Sequence, residues 1–151
     1  GIMREIDIEV VDDFVSPSYL KAIQDSLTAD SFDWHFQASQ SLTEWDEYTI
    51  QDFGFSHGLL PPWQQNQFVE TAPAYFMAPL IYQIKDHIEA QNILRVRLDM
   101  TVLHKEGYIH PPHIDVTPPH VAAIVYVNET DGPTVIYDHK GQFGGPFPDQ
   151  M

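Results

Sequence analysis

The chain has 151 residues, no cysteine, and 22 Asp and Glu against seven Lys and Arg, a formal charge of −15. A length near the usual domain size predicts one domain that buries roughly 68–70% of its unfolded surface. The absence of cysteine excludes a disulfide scaffold, a thiolate zinc site and a cysteine nucleophile. The negative charge repels phosphate backbones and acidic headgroups, so neither nucleic acid nor a membrane surface is an expected partner. A neutral or cationic small molecule, or a peptide, is.

No window reaches the 18 or so apolar residues of a membrane span, and Gly1 to Val15 lacks the basic-then-apolar order of a secretory signal. The expectation is a cytoplasmic protein. Glu5 to Val10 alternates charged and β-branched residues, which predicts a strand running to about Val11. Ser16-Pro17 then opens a helix to about Ala29, with Leu20, Ile23 and Leu27 at three- and four-residue spacing. Phe32, Trp34 and Phe36 alternate with other residues, and Tyr48-Thr49-Ile50 reads as extended, so short strands are expected between Phe32 and Phe55. Leu59-Leu60-Pro61-Pro62-Trp63 reads as a loop, because successive prolines remove successive backbone donors.

A second helix is expected from about Ala72 to Gln91, with Pro73 in its first turn, Pro79 as a potential kink, and an apolar face traced by Phe76, Leu80, Ile84, His87 and Ile88. From Asn92 to Lys105 the pattern alternates with period two, predicting a long half-buried strand. Further strands are expected at about Val121 to Val127 and Thr134 to Tyr137, separated by the turn-forming stretch Asn128 to Pro133. Helices first and strands afterwards predict an α+β single domain over 1–151: a helix-rich part over 1–91 packed on one side, and a β-rich sandwich or barrel part over 92–151.

Between the long strand and the next lies Gly107-Tyr108-Ile109-His110-Pro111-Pro112-His113-Ile114-Asp115. In an extended backbone, residues two apart face the same way, so His113 and Asp115 can present an imidazole nitrogen and a carboxylate oxygen to one point. These are two members of a two-His-one-carboxylate facial triad, which leaves positions open on a non-haem Fe(II). A lone His-x-Asp is expected about once by chance in a chain of this composition, so the flanking sequence has to decide its meaning.

That flanking sequence resembles the core of the Fe(II)- and 2-oxoglutarate-dependent oxygenases, in particular the prolyl-4-hydroxylase-like branch and its bacteriophage and bacterial relatives. Val10 to Pro17 is similar to their opening strand, and Leu94-Arg95-Val96-Arg97-Leu98 to the strand before their metal loop. His113-Ile114-Asp115 falls where they carry His-x-Asp, Ala122 to Asn128 resembles their next strand, and Asp131 to Tyr137 their Gly-Gly-x-Thr-x-Phe segment. The resemblance implies a double-stranded β-helix (jelly-roll, cupin-like) core, here incomplete. It also implies a dioxygenase that hydroxylates its substrate with Fe(II) as metal and 2-oxoglutarate as co-substrate, and His113 and Asp115 as catalytic metal ligands. Tyr108 and Tyr126 are the candidate hydroxyl donors to the oxoacid.

The family also carries a third ligand, a histidine, on a late strand, followed by a basic residue that pairs with the oxoacid. After Asp115 the downstream candidates are His139 and Lys140, earlier than the resemblance places them and in a turn-like stretch. The expectation is a family member truncated before its last strands, with weakly held Fe(II), little oxygenase activity, and sheet edges that a second copy covers in a homo-oligomer.

Other readings compete. His110, His113 and Asp115 could form a compact local zinc or nickel site, although His110 should face away from the pair. His104 could line the same cavity, and His120 more naturally ends a strand. A cupin-like metal protein is weakened by Asp115 in place of the second histidine and by Pro118-Pro119 where a glutamate is wanted. A non-catalytic jelly-roll interaction module is the remaining class. Arg95 and Arg97 share a strand face with Asp99 and Thr101, and an inward Arg97 would need an anion. No Gly-x-Gly-x-x-Gly, phosphate loop or Gly-x-Ser-x-Gly elbow occurs.

Overall fold

The computed structural model describes residues 8–38, 53–102, 119–129, 137–138 and 142–143. The chain groups into two compact units, one formed by 1–32 with 124–151 and the other by 33–123. Among the described residues the class is α+β, with two helices, a three-stranded antiparallel sheet and a short two-stranded ladder.

In the first unit, α1 spans Pro17–Leu27. Pro17 pre-sets the backbone of the first turn, and the Leu20 N–H closes on the Ser16 carbonyl at 2.9 Å. The helix stops two residues before the expected Ala29, where the Thr28 hydroxyl donates to the Gln24 carbonyl at 2.7 Å. Ile23 is fully buried. Gln24 Nε2 donates to the Val127 carbonyl at 2.6 Å, which ties α1 to a segment 103 residues away. The strand expected up to Val11 does not form over residues 8–11; Val10 and Val11 are exposed. The ladder of Tyr137–Asp138 with Gln142–Phe143, here β4 and β5, falls at the end of the run expected at Thr134 to Tyr137.

The second unit holds β1 (His35–Gln37), β2 (Gly54–Leu60), α2 (Ala72–His87) and β3 (Val96–Met100), with β2 central in the order β1-β2-β3. Leu59 and Leu60, expected in a loop, instead complete this central strand, and the prolines end it one residue later. The ladder shows how both leucines are buried in succession: Gly58 faces Arg97 while Leu60 faces Val96, so one extra residue on β2 forms a bulge. A bulge breaks the strict alternation of faces.

α2 packs against β2. Thr71 caps it, its side chain accepting from the Ala74 N–H at 3.4 Å. The buried stripe is Ala74, Met77 and Leu80, whereas Phe76, expected on the core face, is more than a third exposed. Termination comes at His87 rather than Gln91, through a left-handed Glu89 (φ 55°) and the bonds Ala90 N–H to Lys85 O (3.0 Å) and Glu89 N–H to Asp86 O (3.2 Å). Glycine is usual at that position. Among the described residues no helix is long and apolar enough to cross a membrane.

The connection from β2 to α2 is fastened by Asn66, itself left-handed at φ 65°. Its N–H donates to the Ile93 carbonyl (3.0 Å), its Oδ1 accepts from the Ile93 N–H (2.7 Å), and its Nδ2 donates to Asn92 Oδ1 (3.1 Å). Ile93 is buried. The loop after β2 is thereby clamped to the segment that leads into β3.

Candidate functional site

The polar side chains gathered in the second unit sit on the sheet. Within the expected strand Asn92 to Lys105, of which residues 92–102 are described, β3 covers five residues and carries the charged alternation read from the sequence. Arg97 and Asp99 lie two apart and face the same way. Arg97 Nε stands 2.6 Å from Asp99 Oδ1, within ion-pair range but without hydrogen-bond alignment, and Nη2 donates to Oδ2 at 3.1 Å. Arg97 is mostly buried and Asp99 half-exposed. The anion that an inward Arg97 requires is thus supplied from its own strand. Opposite Arg97 stands Gly58, where an added Cβ would meet nothing within 4 Å, so the ion pair borders open space across the ladder.

One residue row crosses all three strands: His35 on β1 pairs with Ser56 on β2, and Ser56 with Asp99 on β3. Ser56 is buried between its two neighbours' strands, at 6% exposure, while His35 and Asp99 at the flanks are exposed. Beside this row the ring of His57 comes to 5.9 Å from that of His35, with 28° between their planes. His57 Nδ1 lies 2.7 Å from the Asp33 carbonyl oxygen. A carbonyl can only accept, so Nδ1 carries the proton in this contact.

His113, Asp115 and Tyr108 lie outside the described residues, as do His104, His110, His139 and Lys140. Tyr126 belongs to the stretch 119–129, where the strand expected at Val121 to Val127 forms no ladder with other described residues. Its side chain is half-exposed, and Val121 and Ile124 are more open still, at 69% and 64%. His120, also in this stretch, is exposed. Among the described residues no group of three or more His, Asp or Glu side chains is arranged to hold a metal.

His35 and His57 were not singled out by spacing. They are 22 positions apart; the β1–β2 register sets His35 opposite Ser56, the neighbour of His57. Asp99 as the partner of Arg97 was legible, since the two alternate on one strand. No family model matches the chain, and no match is found among curated proteins or among solved structures.

Proposed function

We propose that the chain is a non-haem Fe(II)- and 2-oxoglutarate-dependent dioxygenase of the prolyl-4-hydroxylase-like kind, built on a double-stranded β-helix core, with His113 and Asp115 as its metal pair. One observation carries this reading: His113-Ile114-Asp115 occurs once, between segments that resemble the family's strands and stand in the family's order. The antiparallel strand β3, which ends thirteen residues before His113, is in keeping with the strand that should precede a metal loop.

The donor set fits the metal. An imidazole nitrogen and a carboxylate oxygen are the ligand types that non-haem iron takes, and no thiolate is present to divert the site toward zinc. Fe(II), when bound, supplies the activation of O₂ that couples oxidative decarboxylation of 2-oxoglutarate, to succinate and CO₂, with hydroxylation of a C–H bond. The protein's own residues hold and orient. Asp115 offsets part of the cation's charge, His113 fixes its position, and Tyr108 donates a hydroxyl hydrogen bond to the oxoacid. The substrate is a neutral or cationic small molecule or peptide, because a chain of charge −15 disfavours an acidic one.

The test is an anaerobic titration with Fe(II) and 2-oxoglutarate, followed by the visible charge-transfer band that a chelated oxoacid gives. A band, weak and needing excess Fe(II), is expected in the parent chain and lost in both His113→Ala and Asp115→Ala. No band at any Fe(II) concentration, or one that neither substitution changes, would overturn the reading in favour of a non-catalytic jelly-roll interaction module.

A further inference from the structure

The face that α2 turns to water is not the one such a helix ordinarily shows. Where charged and polar side chains are usual, it carries Tyr75, Pro79, Tyr82 and Asp86. At about 100° per residue, steps of four, three and four place these side chains on one stripe, opposite the buried Ala74, Met77 and Leu80. All four are exposed, Tyr75 at 62% and Tyr82 at 47%. We propose that this stripe is a docking surface for a basic peptide segment, whose Arg or Lys side chains stack on the two tyrosine rings and pair with Asp86.

The rings come first. A guanidinium or ammonium group over a tyrosine face is attracted by the ring quadrupole. Tyr75 and Tyr82 are about 10.5 Å apart along the helix axis, which makes two separate cation positions. In a polyproline II backbone, a major conformer of unfolded segments, side chains three residues apart repeat at about 9.3 Å. Basic residues at that spacing therefore reach both rings. The Tyr82 ring is steadied by an edge contact with Phe68, with centroids 5.7 Å apart and 72° between the planes, and that contact leaves at least one tyrosine face uncovered.

Charge then selects the ligand. Asp86 continues the stripe about one turn beyond Tyr82, and its carboxylate enters no ion pair among the described residues. The cations of the last turn, Lys85 and His87, stand about 100° to either side of it. Pro79 has no N–H, so the Tyr75 carbonyl lacks its usual helical donor and is left to accept from a guanidinium or a peptide N–H. The excess of 15 negative charges draws basic segments in and repels nucleic acid, acidic headgroups and a second copy of the chain. A neutral oligosaccharide could lie on the rings but would leave the charge of Asp86 unanswered.

Calorimetric titration of the full chain at low salt tests the proposal, with a short alanine peptide carrying arginine at every third position. The controls are the same peptide with glutamine in place of arginine, and a linear neutral gluco-oligosaccharide. Binding of the arginine peptide alone is expected, weakened about two- to fivefold in Tyr75→Ala and in Tyr82→Ala and retained in Tyr75→Phe and Tyr82→Phe, because the ring and not the hydroxyl meets the cation. Asp86→Asn should weaken it by a similar factor, whereas Asp12→Asn, which removes an equal charge from an exposed position in the first unit, should leave it nearly unchanged. Tyr75→Ala decides the matter even where Tyr82→Ala disturbs the Phe68 contact. Binding should persist in the double variant of His113→Ala with Asp115→Ala, so this surface and the oxygenase reading fail separately. No binding of the arginine peptide, equal binding of the glutamine peptide, an equal loss in Asp12→Asn, or binding as tight in Tyr75→Ala as in the parent would overturn the proposal. Oligosaccharide binding that Tyr75→Ala abolishes, without peptide binding, would overturn it in favour of a sugar platform.

Discussion

Two residues outside any predicted site hold much of the local geometry in the second unit. Asn66 uses its backbone N–H, Oδ1 and Nδ2 on Ile93 and Asn92, and its φ of 65° is one that asparagine tolerates better than most residues. Asn66→Ala strands the Ile93 N–H and strains the backbone, so a loss of about 1–3 kcal/mol is expected in the urea midpoint analysis. Asn66→Gly, which keeps the conformation but not the side-chain bonds, should lose less. Glu89 presents the opposite case, a left-handed helix stop occupied by a residue that disfavours it. Glu89→Gly should stabilise the chain by about 0.5–1 kcal/mol, seen as a higher Tm, because relief of the Cβ clash outweighs the extra freedom of the unfolded glycine. The left-handed stop also explains why α2 was expected to reach Gln91: with no glycine there, the sequence carries no stop signal that spacing can read.

At the scale of elements, the sequence reading located both helices to within a few residues, because proline near the first turn and apolar spacing are local signals. Of the face it traced for α2, Leu80 is buried and Ile84 and Ile88 are half-buried, but Phe76 and His87 are exposed and the smaller Ala74, with Met77, completes the buried stripe. Pro79 lies inside α2 and leaves the Tyr75 carbonyl without its usual helical donor. Since Pro79 is exposed, Pro79→Ala should raise stability by about 1–3 kcal/mol, and far-UV circular dichroism should gain rather than lose helical signal. An unchanged or lowered Tm would mean that the bend at Pro79 is required for the packing of Met77 and Leu80. Strands were read less well than helices. Val121 to Val127 is rich in the Val, Ile and Tyr that strands favour, yet it stays outside any ladder among the described residues. β-propensity measures fit to a pleated, half-buried surface, so it does not by itself set a strand.

For the molecule as a whole, charge is the dominant property. An excess of 15 negative charges repels itself in the folded state, and among the described residues the ion pairs Lys21–Asp25 and Arg97–Asp99, which offset it locally, are at least partly exposed on their acidic side. Added salt screens that repulsion, with a Debye length near ~10 Å at 0.1 M. The urea midpoint should therefore rise as NaCl increases from a few millimolar to the physiological range. A falling midpoint would show that short-range pairs such as Arg97–Asp99 outweigh the long-range repulsion.

The amino-acid sequence by itself determined the properties that depend on composition or on neighbours a few positions apart: the acidic charge, the absence of thiol chemistry, the helix starts at Pro17 and Ala72, the turn to extended structure after Gln91, and the proximity in sequence of His113 and Asp115. Only the tertiary structure decided which strand lies beside which. β3 pairs with β2 across some forty residues, the bulge at Leu59 buries two adjacent leucines, Asn66 reaches Ile93, and His35 meets His57. Each of these depends on register between distant segments, which is set by the total burial and hydrogen bonding of the whole sheet rather than by any pattern within one stretch.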